Sequence, residues 1–132
     1  MLNACPLLDL PPRSFLTLVS PMMLPESQNG HSAVYDAVHD RMTVFGGYDP
    51  NTSQGYQNAL WLLKNASQSS PGWEGMGTLS GYALPTLGHT AVYDPVSNRM
   101  TIVGGIIQNG QGGIGWSNSV VVLTHANGLP VY

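Results

Sequence analysis

Charge is what this sequence has least of. Asp, Glu, Lys and Arg make up 8% of its 132 residues, and only four are basic, against about a quarter charged in an ordinary soluble domain. A net charge of −3 offers no cationic footprint for a phosphate backbone or an anionic bilayer, which argues against nucleic acid and membrane-surface partners. No apolar run approaches the roughly 18 residues of a spanning helix. Cysteine occurs once, at Cys5, so no disulfide can form within the chain. No segment holds an apolar period of 3.6 residues, which leaves an all-β reading. Met1 to Pro12 has no basic n-region, carries Asp9 and is interrupted by Pro6, Pro11 and Pro12. It does not fit a signal peptide, and residues 1–14 are expected to be a disordered leader.

What the sequence does have is an internal repeat. The block from Gly30 to Gly47 (GHSAVYDAVHDRMTVFGG) returns 58 positions later, from Gly88 to Gly105, as GHTAVYDPVSNRMTIVGG, with twelve of eighteen positions identical. Self-similarity at a fixed period marks a supersecondary unit that buries its apolar face against its neighbours. The match extends upstream, where Phe15-Leu16-Thr17-Leu18 lies opposite Trp73-Glu74-Gly75-Met76. Downstream, Asn58 to Leu63 matches Asn118 to Leu123 at an offset of 60, because the intervening loop is two residues longer. Each unit therefore predicts four short strands: one led by an aromatic, one after Gly-His, one before Gly-Gly and one after Asn. Ser32 to Tyr35 and Met42 to Phe45 carry β-branched and aromatic residues around a turn from Asp36 to Asp40. In the second copy Asp94 caps position i of the turn and Pro95 suits i+1. The glycine pairs are expected to end the second strands where φ is positive or another backbone passes closely.

His-x-Ala-Val-Tyr-Asp, then Asp/Asn-Arg-Met, then a double glycine, then Asn with an aliphatic strand and a later Trp together resemble the Kelch repeat of bacterial tandem Kelch proteins. The run Leu123 to Pro130 resembles the stretch leading into a next Trp strand. The resemblance spans residues 15–132, with its strongest cores at 30–63 and 88–123. It implies a partial Kelch-type β-propeller of two four-stranded antiparallel blades. Propellers close with about 4–8 blades, so the chain is expected to be a piece of a longer propeller, or a homo-oligomer that closes its ring by assembly. Low charge and bacterial-type repeats lean towards an exported protein.

In such a fold the loops recognise and the strands pack, so the expected function is a non-catalytic module binding protein or carbohydrate. The variable loops, 48–57 and 106–117, place Tyr48, Asn51, Tyr56, Gln57, Asn109 and Trp116 where a ligand could be met. Aromatic rings flanked by amides suit a sugar ring or a protein surface. No cofactor or metal is expected. His31 and His89 occupy equivalent positions and are expected to be structural, and neither His39 nor His125 has a ligand at metal-binding spacing. Asp49-Pro50-Asn51-Thr52-Ser53 opens like a calcium loop, but Gly55 comes one place late and Leu60 stands where the bidentate carboxylate belongs. The glycine-rich run from Gly104 to Gly113 has neither the helix nor the Lys of a phosphate cradle. The alternative is a fragment of a propeller enzyme. Copper oxidases of the galactose oxidase type require a Tyr-Cys cross-link, and the only cysteine lies outside the repeats. Propeller sugar epimerases offer no catalytic residue that matches a position here.

Overall fold

The computed structural model describes residues 25, 28–51, 55, 58–78, 87–108 and 113–129. These build nine β-strands and no helix: β1 (Ser32–Asp36), β2 (Arg41–Phe45), β3 (Ala59–Lys64), β4 (Gly72–Thr78), β5 (Thr90–Asp94), β6 (Arg99–Val103), β7 (Ile106–Gln108), β8 (Ile114–Trp116) and β9 (Val120–Thr124). All sheets are antiparallel: a four-stranded sheet in the order β1-β2-β3-β4, a three-stranded sheet β5-β6-β9, and a hairpin of β7 and β8. The chain is all-β.

The hairpins form as the sequence predicts. Asp36 Oδ1 accepts the Val38 amide at 3.0 Å and Asp94 Oδ1 the Val96 amide at 3.0 Å, so each aspartate caps its own turn. Asp40 and Asn98 close the two turns with φ of 54° and 51°, a left-handed conformation that Asn and Asp tolerate better than most residues. Gly46 and Gly47, like Gly104 and Gly105, also have positive φ, and each pair turns the chain out of its sheet.

Two features depart from expectation. The Trp73 strand, β4, pairs with β3; it completes the sheet of the residues before it instead of opening the next one. A bulge between Leu60 and Trp61 admits it, Leu60 facing Gly77 and Trp61 facing Gly75. The segment 106–117, expected as a loop, contains β7 and β8. One end is Ile106-Ile107-Gln108 and the other alternates Ile114 and Trp116 with glycine, and they pair Ile106 with Trp116 and Gln108 with Ile114. The second sheet has three strands among the described residues. The expected strand at Phe15–Leu18 and the leader lie outside the described residues.

Strand alternation assigns the faces. On the first sheet, Val34, Asp36, Thr43, Phe45, Leu60 and Leu62 share a face because Val34 pairs with Thr43 and Thr43 with Leu62. That face meets the side of the second sheet that carries Tyr93, Met100 and Ile102. The core lies between the sheets: Phe45, Met100, Ile102 and Ala126 are fully buried and Leu60 nearly so, with Val34, Ala91, Tyr93, Val121 and Leu123 packed around them. Phe45, Leu60, Met100 and Ile102 each contribute about 1.5–3 kcal/mol by leaving water. The repeat thus gains its core between units, as stacked repeats do.

Candidate functional site

Stacking gives the two sheets a common pair of ends. At one end lie the turns Asp36–Asp40 and Asp94–Asn98 and the segment after β9. At the other, the glycine pairs send the chain into the excursions that begin at Tyr48 and Ile106.

The turn end is a buried polar lock. Asp36, 3% exposed, accepts the Asn127 side-chain amide at 2.6 Å on Oδ2. The same oxygen takes the Tyr93 hydroxyl at 3.3 Å and meets His39 Nδ1 at 2.7 Å. Asn127 is oriented from behind: its backbone amide donates to Asn98 Oδ1 at 3.0 Å, and its own Oδ1 accepts from Asn98 Nδ2 at 2.6 Å and from the Leu129 amide at 2.8 Å. Thr43 Oγ1 donates to the Ala126 carbonyl at 2.5 Å and Arg41 Nη1 to the Asn127 carbonyl at 3.0 Å. Arg41 therefore serves the 126–127 backbone of the next unit, and Asp36 bonds turn amides and side chains of that unit. Burial alone pushes the Asp36 carboxyl up, but the bonds from Asn127, His39 and the Val38 and His39 amides outweigh it and hold the group below its ordinary range. Burial, then the nearby Asp36 charge, pushes the Tyr93 hydroxyl up to about 12.

Asn98, Asn127 and Thr43 went unread in the sequence because they are common polar residues. The available signal was position: Asn98 occupies the turn's left-handed site, and Asn127 sits one residue past the alanine that the repeat shares with Ala66. His89 packs on the core. The residue is 6% exposed, its ring lies 5.3 Å from the Phe45 ring, and the Phe45 backbone is a polar group near its nitrogens. It is a core residue, while His31 is exposed.

The pH dependence of stability follows from these groups. Burial lowers the His89 pKa from its ordinary 6.5, only partly offset by the Phe45 backbone. Below pH 6.5 the unfolded imidazole takes up a proton that the folded one refuses, so stability falls with acidification. Asp36 adds a second acid loss below its ordinary 3.8, since its folded pKa is depressed. Tyr93, raised from 10.0 to about 12, costs stability as pH rises through that interval. Thermal unfolding followed by circular dichroism across pH is expected to show these limbs. The His89→Leu variant should lose the slope that begins near pH 6.5 and Tyr93→Phe the alkaline one; an unchanged profile in both would refute these assignments.

The loop end holds the residues singled out for recognition. Tyr48 is half-buried, and its backbone exchanges two hydrogen bonds with Asn29, at 3.1 and 2.8 Å. A side chain at Gly55 would run into the Tyr48 ring, so the loop folds back over it. Asn51 is exposed but donates both its backbone amide, at 2.8 Å, and its side-chain amide, at 3.0 Å, to Asp49 Oδ1. It shapes the loop. Tyr56, Gln57 and Asn109 lie outside the described residues. Trp116 stands out: it is 87% exposed on β8, and Ile114, two positions back and therefore on the same side of the hairpin, is 63% exposed. The pairing Gln108 with Ile114 puts an amide beside them. Gly104 donates to the Ser119 carbonyl at 3.1 Å and Ser117 to the Gly105 carbonyl at 2.8 Å, clamping the base of this hairpin.

Among the described residues no group of three or more His, Cys, Asp or Glu side chains could hold a metal ion, and no helix is long and apolar enough to cross a membrane. Fold and site together define an all-β protein of stacked antiparallel repeat sheets, with a polar lock at one end and an exposed tryptophan at the other. No protein-family model matches the chain and no curated protein matches it significantly.

Proposed function

We propose that the chain is a non-catalytic binding module built from Kelch-type blades, recognising protein or carbohydrate through the excursions at its glycine-pair end. The repeat motif, the four-stranded antiparallel order of the first sheet and the stacking of equivalent sheets support the propeller reading. The exposure of Trp116 carries the binding reading. An indole left 87% exposed on a clamped hairpin, beside an exposed isoleucine and an amide, offers a rigid apolar face with polar groups at its rim. Sugars and protein partners both use such faces.

The enzyme alternative finds no such support among the described residues. Asp36 and His39 form a carboxylate–imidazole pair at 2.7 Å, but the carboxylate also holds the next sheet and no hydroxyl nucleophile is bonded to the imidazole. Screening the chain on a glycan array and against a displayed-peptide library tests the proposal. Ligands that bind the wild type and lose at least about tenfold in affinity to Trp116→Ala support it. Ligands indifferent to that change, or none in either screen, count against it.

A further inference from the structure

We propose that the outer face of the second sheet docks a second copy of this chain, whose first sheet packs on it as the second packs on the first within one molecule. The inference stands on the internal repeat and does not require the propeller reading. By the repeat offset, Val34, Phe45, Leu60 and Leu62 of the first sheet, the first partly and the rest fully covered, correspond to Val92, Val103, Val120 and Val122 of the second. The register confirms that these four share one face, since Val103 pairs with Val120 and Thr101 with both Val92 and Val122. Leu62 is 2% exposed and Phe45 0%, whereas Val92 is 67%, Val120 62%, Val122 52% and Val103 43% exposed. The same kind of surface is covered in one copy of the repeat and bare in the other.

What covers it in the first sheet identifies what would cover it in the second. The covering side is marked by Tyr93, whose hydroxyl donates to Asn98 Oδ1 at 3.0 Å, and by the Ala126–Asn127 segment. The first sheet presents the polar edge of the equivalent side already assembled, beside a centre where Val44, the counterpart of Ile102, is 7% exposed. Tyr35 is 44% exposed and donates to Asp40 Oδ1 at 2.9 Å. The Ser67 amide donates to Asp40 Oδ1 at 2.9 Å, as Asn127 does to Asn98, and the Ala66 amide to the Asp40 carbonyl at 3.1 Å, as Ala126 does to Asn98 at 3.2 Å. Docked in the same way, the copy's Tyr35 and Ser67 hydroxyls address Asp94, its Ala66 carbonyl addresses Thr101, and its Ser67 carbonyl addresses Arg99. Each contact repeats one seen between the sheets of a single chain.

One position does not fit. Asp40 stands where Asn98 stands in the internal junction, so docking sets two carboxylates, Asp40 and Asp94, on either side of one tyrosine hydroxyl. Like charges so placed weaken the contact. The association is heterologous, head to tail, and therefore makes a ring if the rotation between sheets closes and an open chain otherwise.

Sedimentation velocity over a concentration series tests this with four proteins: the wild type, Asp40→Asn, Val122→Lys and Tyr35→Lys. Both lysines replace exposed residues, and circular dichroism confirms that each variant keeps its sheets. The wild type is expected to associate weakly and Asp40→Asn more tightly, by about tenfold or more. Val122→Lys and Tyr35→Lys alone should be monomers, and an equimolar mixture of the two should form a heterodimer that grows no further, through the one intact face of each. A monomeric Asp40→Asn protein at millimolar concentration overturns the proposal. So does an association that Val122→Lys abolishes and Tyr35→Lys leaves intact, which would mean like faces meet. A mixture that stays monomeric overturns it equally.

Discussion

Asp36→Ala is expected to lower the free energy of unfolding by about 3 kcal/mol, while Asp94→Ala, the same change at the equivalent repeat position, leaves the urea midpoint nearly where it was. Both aspartates cap a turn through the amide two residues on, so turn chemistry predicts equal effects. The difference comes from packing. Asp36 is 3% exposed and gathers the Asn127 amide, the Tyr93 hydroxyl and the His39 ring; without it the Asn127 side-chain amide, itself 3% exposed, loses its acceptor inside the junction. Asp94 bonds only its own turn, through the Val96 amide and the Ser97 hydroxyl, where water can substitute. Equal losses in the two variants would show that the junction contributes nothing beyond its turns.

Phe45→Ala should be the most damaging single truncation, at about 4 kcal/mol, a large share of the roughly 5–15 kcal/mol that holds a domain folded. Its ring is fully buried at the centre of the junction, against Leu60, Met100, Ile102 and Ala126, and abuts His89. The void left would lie between two sheets held apart by their own hydrogen-bond ladders, so the surroundings could collapse into it only in part. Val103→Ala at the equivalent position, 43% exposed, is expected to cost about 1 kcal/mol or less. Thermal unfolding of the pair measures the contrast. Comparable losses would mean that the face bearing Val103 is covered in solution even in the monomer.

Much of the fold was legible in the residues because its signals are local. The β-branched runs, the Asp-capped turns and the glycine pairs each act within a few positions, and the strands and turns follow them. Which strand joins which sheet was less legible. Trp73 heads a strand in either assignment, and only its pairing with β3 across a bulge at Leu60 and Trp61 decides its sheet. The hairpin inside 106–117 was missed because its glycines outweigh three β-branched residues in a reading by composition. In the candidate site, Trp116 was legible as an aromatic in a variable loop, but nothing local decides whether such a ring packs between sheets or faces solvent; it is 87% exposed. What the residues did not reveal at Asn51 is that an aspartate two positions earlier takes both of its amides. The lock was invisible, since Asn98 and Asn127 lie 29 positions apart and meet only once the second sheet has formed.

The clamp at the base of the β7–β8 hairpin separates what lies above it from the rest of the molecule. Two main-chain bonds, Gly104 to Ser119 and Ser117 to Gly105, belong to backbone atoms and so do not depend on side-chain identity between them. Lengthening the excursion costs only the logarithmic entropy of closing a longer loop, about 0.6 kcal/mol per doubling. The second copy already spans two residues more than the first over the corresponding stretch. The repeat is thus partitioned into a half that must stay as it is and a half that is free to diversify. New specificities can be grafted between residues 106 and 117 without renegotiating how the sheets hold together.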